Sequence, residues 1–188
     1  MRDPFRFINV VDLEATCWAR EDPDAAHNVS DIIEIGVAVL RLKPLEIVRK
    51  ASIVVKPTNS EVSAFCTKLT GWTSADVAKG CTLAQAAQQL RDEFQAHRRP
   101  WASWGDYDRE QVRRQCEREG VKYPFGRSHI NVKLRHSLDS GTSRSMGMQY
   151  ALVDLGLELE GQHHRGVDDA CNIARILALL LGRTRSAA

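Results

Sequence analysis

A chain of 188 residues, 43% hydrophobic and 27% charged, is long enough for one domain with a real core and has the balance of a globular fold. Its net charge of +2 excludes an overall basic field, so any nucleic-acid contact must come from local patches such as Arg98-Arg99, Arg113-Arg114, Lys122, Arg127, Lys133, Arg135, Arg144 or Arg165. Five scattered cysteines with no Cys-x-x-Cys pair argue against a disulfide framework or structural zinc and for a reducing, cytoplasmic setting.

The start, "MRDPFRFINVV", lacks the apolar stretch and cleavage site of a signal peptide. "FRFINVVDLE" reads as a first strand, "DIIEIGVAVLRL" as a longer one and "EIVRKASIVVK" as a third, with short connections that suit an antiparallel meander. The loop at 19–30 is polar. Helical patterning follows in "EVSAFCTKL" and "SADVAKG". It strengthens in "TLAQAAQQLRDEFQAHRR", where Thr82 caps a face of Leu83, Ala86, Ala87, Leu90 and Phe94. "PWASWG" is a brief strand and "DREQVRRQCEREG" a helix closed by Gly120. "HINVKLRHS" begins extended and turns helical. "MGMQYALVDLGL" and "VDDACNIARILALLLG" complete the helices, and "RTRSAA" reads as a frayed tail. The run "ILALLL" is too short to span a bilayer, so no membrane contact is expected.

The chemistry lies in the acids. In "VVDLEATCW" Asp12 and Glu14 are two residues apart, so on a strand they point to one face while Val11 and Leu13 point to the other. Two carboxylates side by side on a buried sheet repel each other and lose hydration, which calls for a cation, a shared proton or water between them. "SWGDYDRE" puts Asp106 and Asp108 where a strand gives way to a helix; either could cap that helix. "HHRGVDDACN" puts His164 in a loop and Asp169 in an early turn of the last helix, with Asp168 beside it pointing elsewhere. Four carboxylates converging without cations would carry a prohibitive like-charge cost. With two divalent ions they make a hard-oxygen cage suited to Mg²⁺ or Mn²⁺ and to phosphoryl displacement, with a nearby histidine to take a proton from water.

"VVDLEATCW", "SWGDYDREQ" and "HHRGVDDACNIARI" resemble, in order, the three motifs of DEDDh 3′–5′ exonucleases. "FCTKLTGWT", "GVKYPFG…HINVK" and "LGLELEGQHHRGVDDACNIARI" are similar to the Eri-1-like (three-prime histone-mRNA exonuclease-like) branch. The resemblance implies an RNase H-like α/β fold, a mixed five-stranded sheet flanked by helices. Residues 1–182 would form one exonuclease domain and 183–188 a disordered tail. It implies that Asp12, Glu14, Asp108 and Asp169 are metal ligands and His164 the general base, preferring Asp108 to Asp106 and pairing His164 with Asp169. It implies that the backbone at Ala15 and Thr16 holds the terminal nucleotide, with Leu69, Thr70 and Trp72 near its base. Arg109, where the branch has an apolar residue, is a candidate phosphate contact or a solvated side chain. The expected partners are single-stranded RNA or DNA 3′ ends and a nucleoside 5′-monophosphate product, with no obligate protein partner. The alternatives are a DNA exonuclease of proofreading or repair, a non-catalytic nucleic-acid-binding protein on this fold and, weaker, a zinc hydrolase on His163, His164 and Cys171.

Overall fold

The computed structural model describes residues 4–22, 28–141 and 146–186. After a 3-10 turn at Pro4–Arg6, strand β1 (Phe7–Ala15) forms where the sequence alternates two apolar sets, one for each face. On one side it pairs antiparallel with β2 (Ile32–Leu42), which pairs antiparallel with β3 (Leu45–Val54). On the other side it pairs in parallel with β4 (Trp101–Ser103), and β4 in parallel with β5 (His129–Asn131). The order β3-β2-β1-β4-β5 makes the expected mixed five-stranded sheet.

Parallel neighbours need crossovers, and the helices supply them. Between β3 and β4 lie α1 (Ala64–Thr70), α2 (Ser74–Val77) and α3 (Leu83–Glu93); α4 (Tyr107–Glu119) joins β4 to β5. Then come α5 (Val132–Asp139), α6 (Met148–Asp154) and α7 (Gly166–Ser186). One sheet face buries Val11, Leu13, Ile35 and Val37 against Leu83, Ala86 and Leu90 of α3 and Val112 and Cys116 of α4. The other buries Ile8, Val10, Ala38 and Leu40 against α6 and α7, including Ala170, Ile173, Ala174 and Leu177. Asp12 and Glu14 share the parity of Val10 and therefore lie on the α7 face.

Two helix ends differ from expectation by more than a turn. The pattern through residue 99 predicts a longer α3, but the helix stops at Glu93. Phe94 caps it, and Gln95 takes φ 52°, which turns the chain so that Phe94 and Ala96 are both fully buried. Burial of that aromatic ring outweighs another helical turn. At the other end α7 passes through Gly182 and runs to Ser186, where a tail from 183 was expected; a single glycine costs a helix only about 1 kcal/mol. Residues 187–188, the middle of the 19–30 loop (23–27) and Arg144 lie outside the described residues. Among the described residues, no helix is long and apolar enough to cross a membrane.

Candidate active site

The β1–β2 register builds one wall of the site. Asp12 stands opposite Gly36 and Glu14 opposite Glu34, so three carboxylates and one bare backbone position share a patch of the α7 face. Gly36 is where α7 comes in. A Cβ there would fall 1.9 Å from the Gly166 carbonyl carbon and 2.3 Å from the Val167 nitrogen, so no side chain fits. Glu34 then fastens the helix. Its carboxylate accepts from the backbone N–H of Gly166 at 2.9 Å and of Val167 at 3.4 Å, from the Ser52 hydroxyl at 2.6 Å and from the Trp72 indole N–H at 2.8 Å. The Gly166 and Val167 N–H groups open α7, and a carboxylate is favoured at such a helix N-terminus. Docked this way, the first turn of α7 delivers Asp169: ligand oxygens of Asp12, Glu14 and Asp169 lie within 4.8 Å of one another.

Asp108 arrives from the other side. The β1–β4 ladder covers only Asn9–Val10 against Trp101–Ala102, and β4 ends at Ser103. The Leu13 N–H, beyond that ladder and between Asp12 and Glu14 in the chain, donates instead to Asp108 Oδ1 at 3.0 Å. Asp106 takes the N-cap position of α4 but makes no capping bond; it pairs with Arg109 at 2.9 Å and accepts from the Asn131 amide at 2.9 Å. So it is Asp108, not Asp106, that faces β1.

Burial raises the carboxyls of Asp12, Glu14, Asp108 and Asp169. Asp12 is held well above the ordinary range, by burial first and then by Asp108, Asp169, Glu14 and Glu34. Burial, with Asp169 and Glu34, pushes Glu14 up to about 8. Burial pushes Asp108 up to about 7 against the pull of the Leu13 N–H and the Ser103 hydroxyl, and burial raises Asp169 against the pull of His163. Among the described residues neither Asp12 nor Glu14 accepts a hydrogen bond or pairs with a cationic side chain. A set of converging oxygens, costly to ionise and short of positive charge, fits a hard divalent cation such as Mg²⁺ or Mn²⁺. The zinc alternative is not assembled: the third group beside His163 and His164 is Asp169, not Cys171.

The two histidines divide in role. His163 Nδ1 lies 3.0 Å from Asp169 Oδ2, and the two imidazoles stack at 3.9 Å between centroids. His164 takes φ 64°, a left-handed conformation uncommon outside glycine, and its backbone N–H donates to Asp169 Oδ2 at 2.9 Å. That leaves the His164 ring half-buried, stacked on His163 and, among the described residues, without a hydrogen bond of its own. Burial, then the neighbouring His163, lower its affinity for protons against the pull of Asp169, so it is neutral near pH 7 and able to accept one.

The family model described as Exonuclease matches residues 10–177, which takes in every one of these groups. The chain belongs to the exonuclease family. Human 3′–5′ exoribonuclease 1 is 30% identical over 187 residues, 94% of this chain and 53% of the relative. The Drosophila melanogaster 3′–5′ exonuclease Snipper is 27% identical over 95% of this chain and 70% of its own. The solved nuclease domain of 3′hExo, a DEDDh family member bound to rAMP, superposes with a TM-score of 0.86 at 30% identity, covering 95% of this chain and 93% of that one. Likeness to E. coli exonuclease I, at 13% identity and a TM-score of 0.70, concerns the RNase H-like fold alone. The chain spans about half the length of the human relative it matches.

Within this exonuclease fold the expected substrate contacts fare unevenly. Ala15 and Thr16 do follow Glu14 directly, but Thr16 is committed internally. Its N–H donates to the Asp31 carbonyl at 2.8 Å, and its hydroxyl binds Ser60 and the Asp31 N–H. Thr70 is fully buried, its hydroxyl spent on the Cys66 carbonyl, while Leu69 is half-buried. Trp72 binds Glu34 through its indole N–H and carries the Arg165 guanidinium over its ring at 3.9 Å, so one face is already covered. Glu34 and Gly36 were the groups missed, and His163, named only for the zinc alternative, pairs with Asp169. Glu34 and Gly36 have the two-residue spacing of Asp12 and Glu14, but only the register shows which face they take. Asp31, fully buried, accepts from the N–H groups of Thr58 and Ser60 and pairs with Arg118, holding the loop that meets Thr16.

Proposed function

We propose that this chain is a divalent-metal-dependent 3′–5′ exonuclease that shortens single-stranded RNA and releases nucleoside 5′-monophosphates. The observation that carries the reading is the close approach of the Asp12, Glu14 and Asp169 oxygens, within 4.8 Å, beside Asp108 and, among the described residues, with no Lys or Arg paired to Asp12 or Glu14. Asp12, Glu14, Asp108 and Asp169 would hold two ions, Mg²⁺ or Mn²⁺. Bound there, the ions would supply the positive charge that stabilises the attacking and leaving oxygens in phosphodiester hydrolysis.

The chain's own groups account for the rest. Glu34 and Gly36 seat the first turn of α7 and so set Asp169 against Asp12. The Leu13 N–H fixes the Asp108 carboxylate, and His163 orients Asp169. His164, neutral at working pH, takes the proton of the attacking water. Ala15, Leu69 and the uncovered side of Trp72 would border the terminal nucleotide. RNA is favoured over DNA because the relatives at 27–30% identity include human 3′–5′ exoribonuclease 1. The free thiols suit a reducing, cytoplasmic compartment.

The test is stepwise shortening of 5′-labelled RNA and DNA of one sequence, single-stranded and duplex, with Mg²⁺ or Mn²⁺. Single-stranded RNA should be shortened fastest, and Asp12→Ala, Asp169→Ala or EDTA should stop it. DNA as the better substrate would turn the reading to a repair-type enzyme. Undiminished cleavage by Asp12→Ala would defeat it.

A further inference from the structure

Two cysteines meet where β1 ends. The register with β2 shifts between Glu14 and Ala15, and the chain leaves the sheet through Thr16 and Cys17. Ser63, the N-cap of α1, catches it there. Its hydroxyl donates to the Cys17 carbonyl at 2.6 Å and accepts from the Cys66 N–H at 2.9 Å, so one side chain holds both cysteines. Cys66, fully buried in the first turn of α1, donates its S–H to the Ala15 carbonyl, sulfur and oxygen 3.6 Å apart. The S–H and the backbone N–H of Cys17 both point at the Cys66 sulfur, and the two residues share one apolar cluster with Ile33 and Val77. The thiol–thiol bond pulls the Cys66 thiol below its usual range, against burial, and together with burial holds the Cys17 thiol above it. Cys81, Cys116 and Cys171 show no such pairing among the described residues.

We propose that Cys17 and Cys66 are a reversible oxidation site: a hydroperoxide closes them into a disulfide, and the closed form shortens RNA more slowly. The effect on turnover rests on the reading of the carboxylates as a nuclease site; the disulfide itself does not. Cys17 is the half-buried member and meets the oxidant. As its sulfur attacks hydrogen peroxide, the Cys66 thiolate takes its proton. The O–O bond breaks, one oxygen stays on Cys17 as a sulfenic acid, and the other leaves as hydroxide. The Cys66 sulfur then attacks the Cys17 sulfur. The S–S bond forms, the S–O bond breaks, and the displaced hydroxide leaves as water with the Cys66 proton. Two electrons pass from the sulfurs to the peroxide, and an added dithiol returns them. Closure removes the Cys66 S–H, so the Ala15 carbonyl loses its donor. Ala15 directly follows Glu14, and a shift of about 1 Å at such a group can cost a hundredfold in rate. In a reducing compartment the pair stays open until oxidant rises.

The test treats the full chain with hydrogen peroxide, maps its peptides by mass spectrometry without reductant, and follows shortening of 5′-labelled RNA in Mg²⁺. The peptides bearing Cys17 and Cys66 should appear joined, lighter by two hydrogens than their sum, and should separate in dithiothreitol. Oxidation should slow RNA shortening at least about fivefold, and dithiothreitol should restore it. Cys17→Ser and Cys66→Ala should each keep their untreated rate in peroxide. Cys171→Ser, which removes a half-buried cysteine outside the pair, should stay as sensitive as the wild type. Oxidised wild type without the joined peptides would overturn the proposal. So would joined protein that works at the reduced rate, or Cys17→Ser slowed as much as the wild type. Reduced wild type that yields no product would defeat the nuclease reading, while the peptide map would still decide the disulfide.

Discussion

Glu14 and Glu34 face each other across the β1–β2 ladder, both buried, both glutamates, on one face of one sheet. Glu34 accepts from two backbone N–H groups, a hydroxyl and an indole. Glu14, among the described residues, accepts nothing and is pushed up to about 8. A buried carboxylate given donors on every side is a fastening. One left bare beside two other carboxylates is open to something that arrives with positive charge. Burial alone does not separate the two; the count of donors does.

The sharpest way to break this comparison is to exchange each acid for its amide. Glu14→Gln should abolish hydrolysis yet leave the metal-free fold as stable or more so, since one of the crowded acids is gone. Glu34→Gln should keep measurable turnover, lower by about 10- to 100-fold, and lose stability in urea because an amide presents donors to donors. If the two variants behave alike, the distinction falls. Next, Gly36→Ala should force the start of α7 away from β2, destabilising the fold by about 3 kcal/mol in urea and removing activity with it. A folded, active Gly36→Ala protein would contradict the docking described.

A third effect concerns pH. The Glu14 carboxyl holds its proton more tightly folded, at about 8, than unfolded, at about 4.5. Its contribution to metal-free stability is therefore complete below about pH 4.5 and is lost as pH rises through about 8. Mg²⁺ should oppose that loss, so the gain in Tm on adding Mg²⁺ should be larger at pH 8 than at pH 5.5; equal gains would count against a cation at Glu14. The smallest effect lies far from the acids. Thr82 caps α3 in a reciprocal pair with Gln85, and Thr82→Ala should cost about 1 kcal/mol in urea with activity unchanged.

The sheet was legible because β1 and β2 bury both faces and carry long apolar patterns that nothing else explains. So was the shared face of Asp12 and Glu14, which the structure brings together with Asp169, whereas the choice of Asp108 over Asp106 came from the motif resemblance and not from spacing. Glu34 escaped because a lone glutamate in "DIIEIG" reads as one polar residue in an apolar strand. Its meaning depends on the register with β1 and on the docking of a helix 130 residues away, which no local pattern contains. The partners of Trp72 were hidden for the same reason. An aromatic residue beside a turn suits a base, but its N–H and one of its faces are taken by Glu34 and Arg165. Phe94 shows tertiary burial overriding helical propensity at the end of α3.

The claim beneath all of this is that the bare carboxylates exist to hold divalent cations. Calorimetric titration of the metal-free protein with Mn²⁺ tests it directly, with Asp12→Ala and Glu34→Gln alongside. Saturable binding to the wild type, retained by Glu34→Gln and lost in Asp12→Ala, is the expected result. Binding to Asp12→Ala equal to that of the wild type would contradict it.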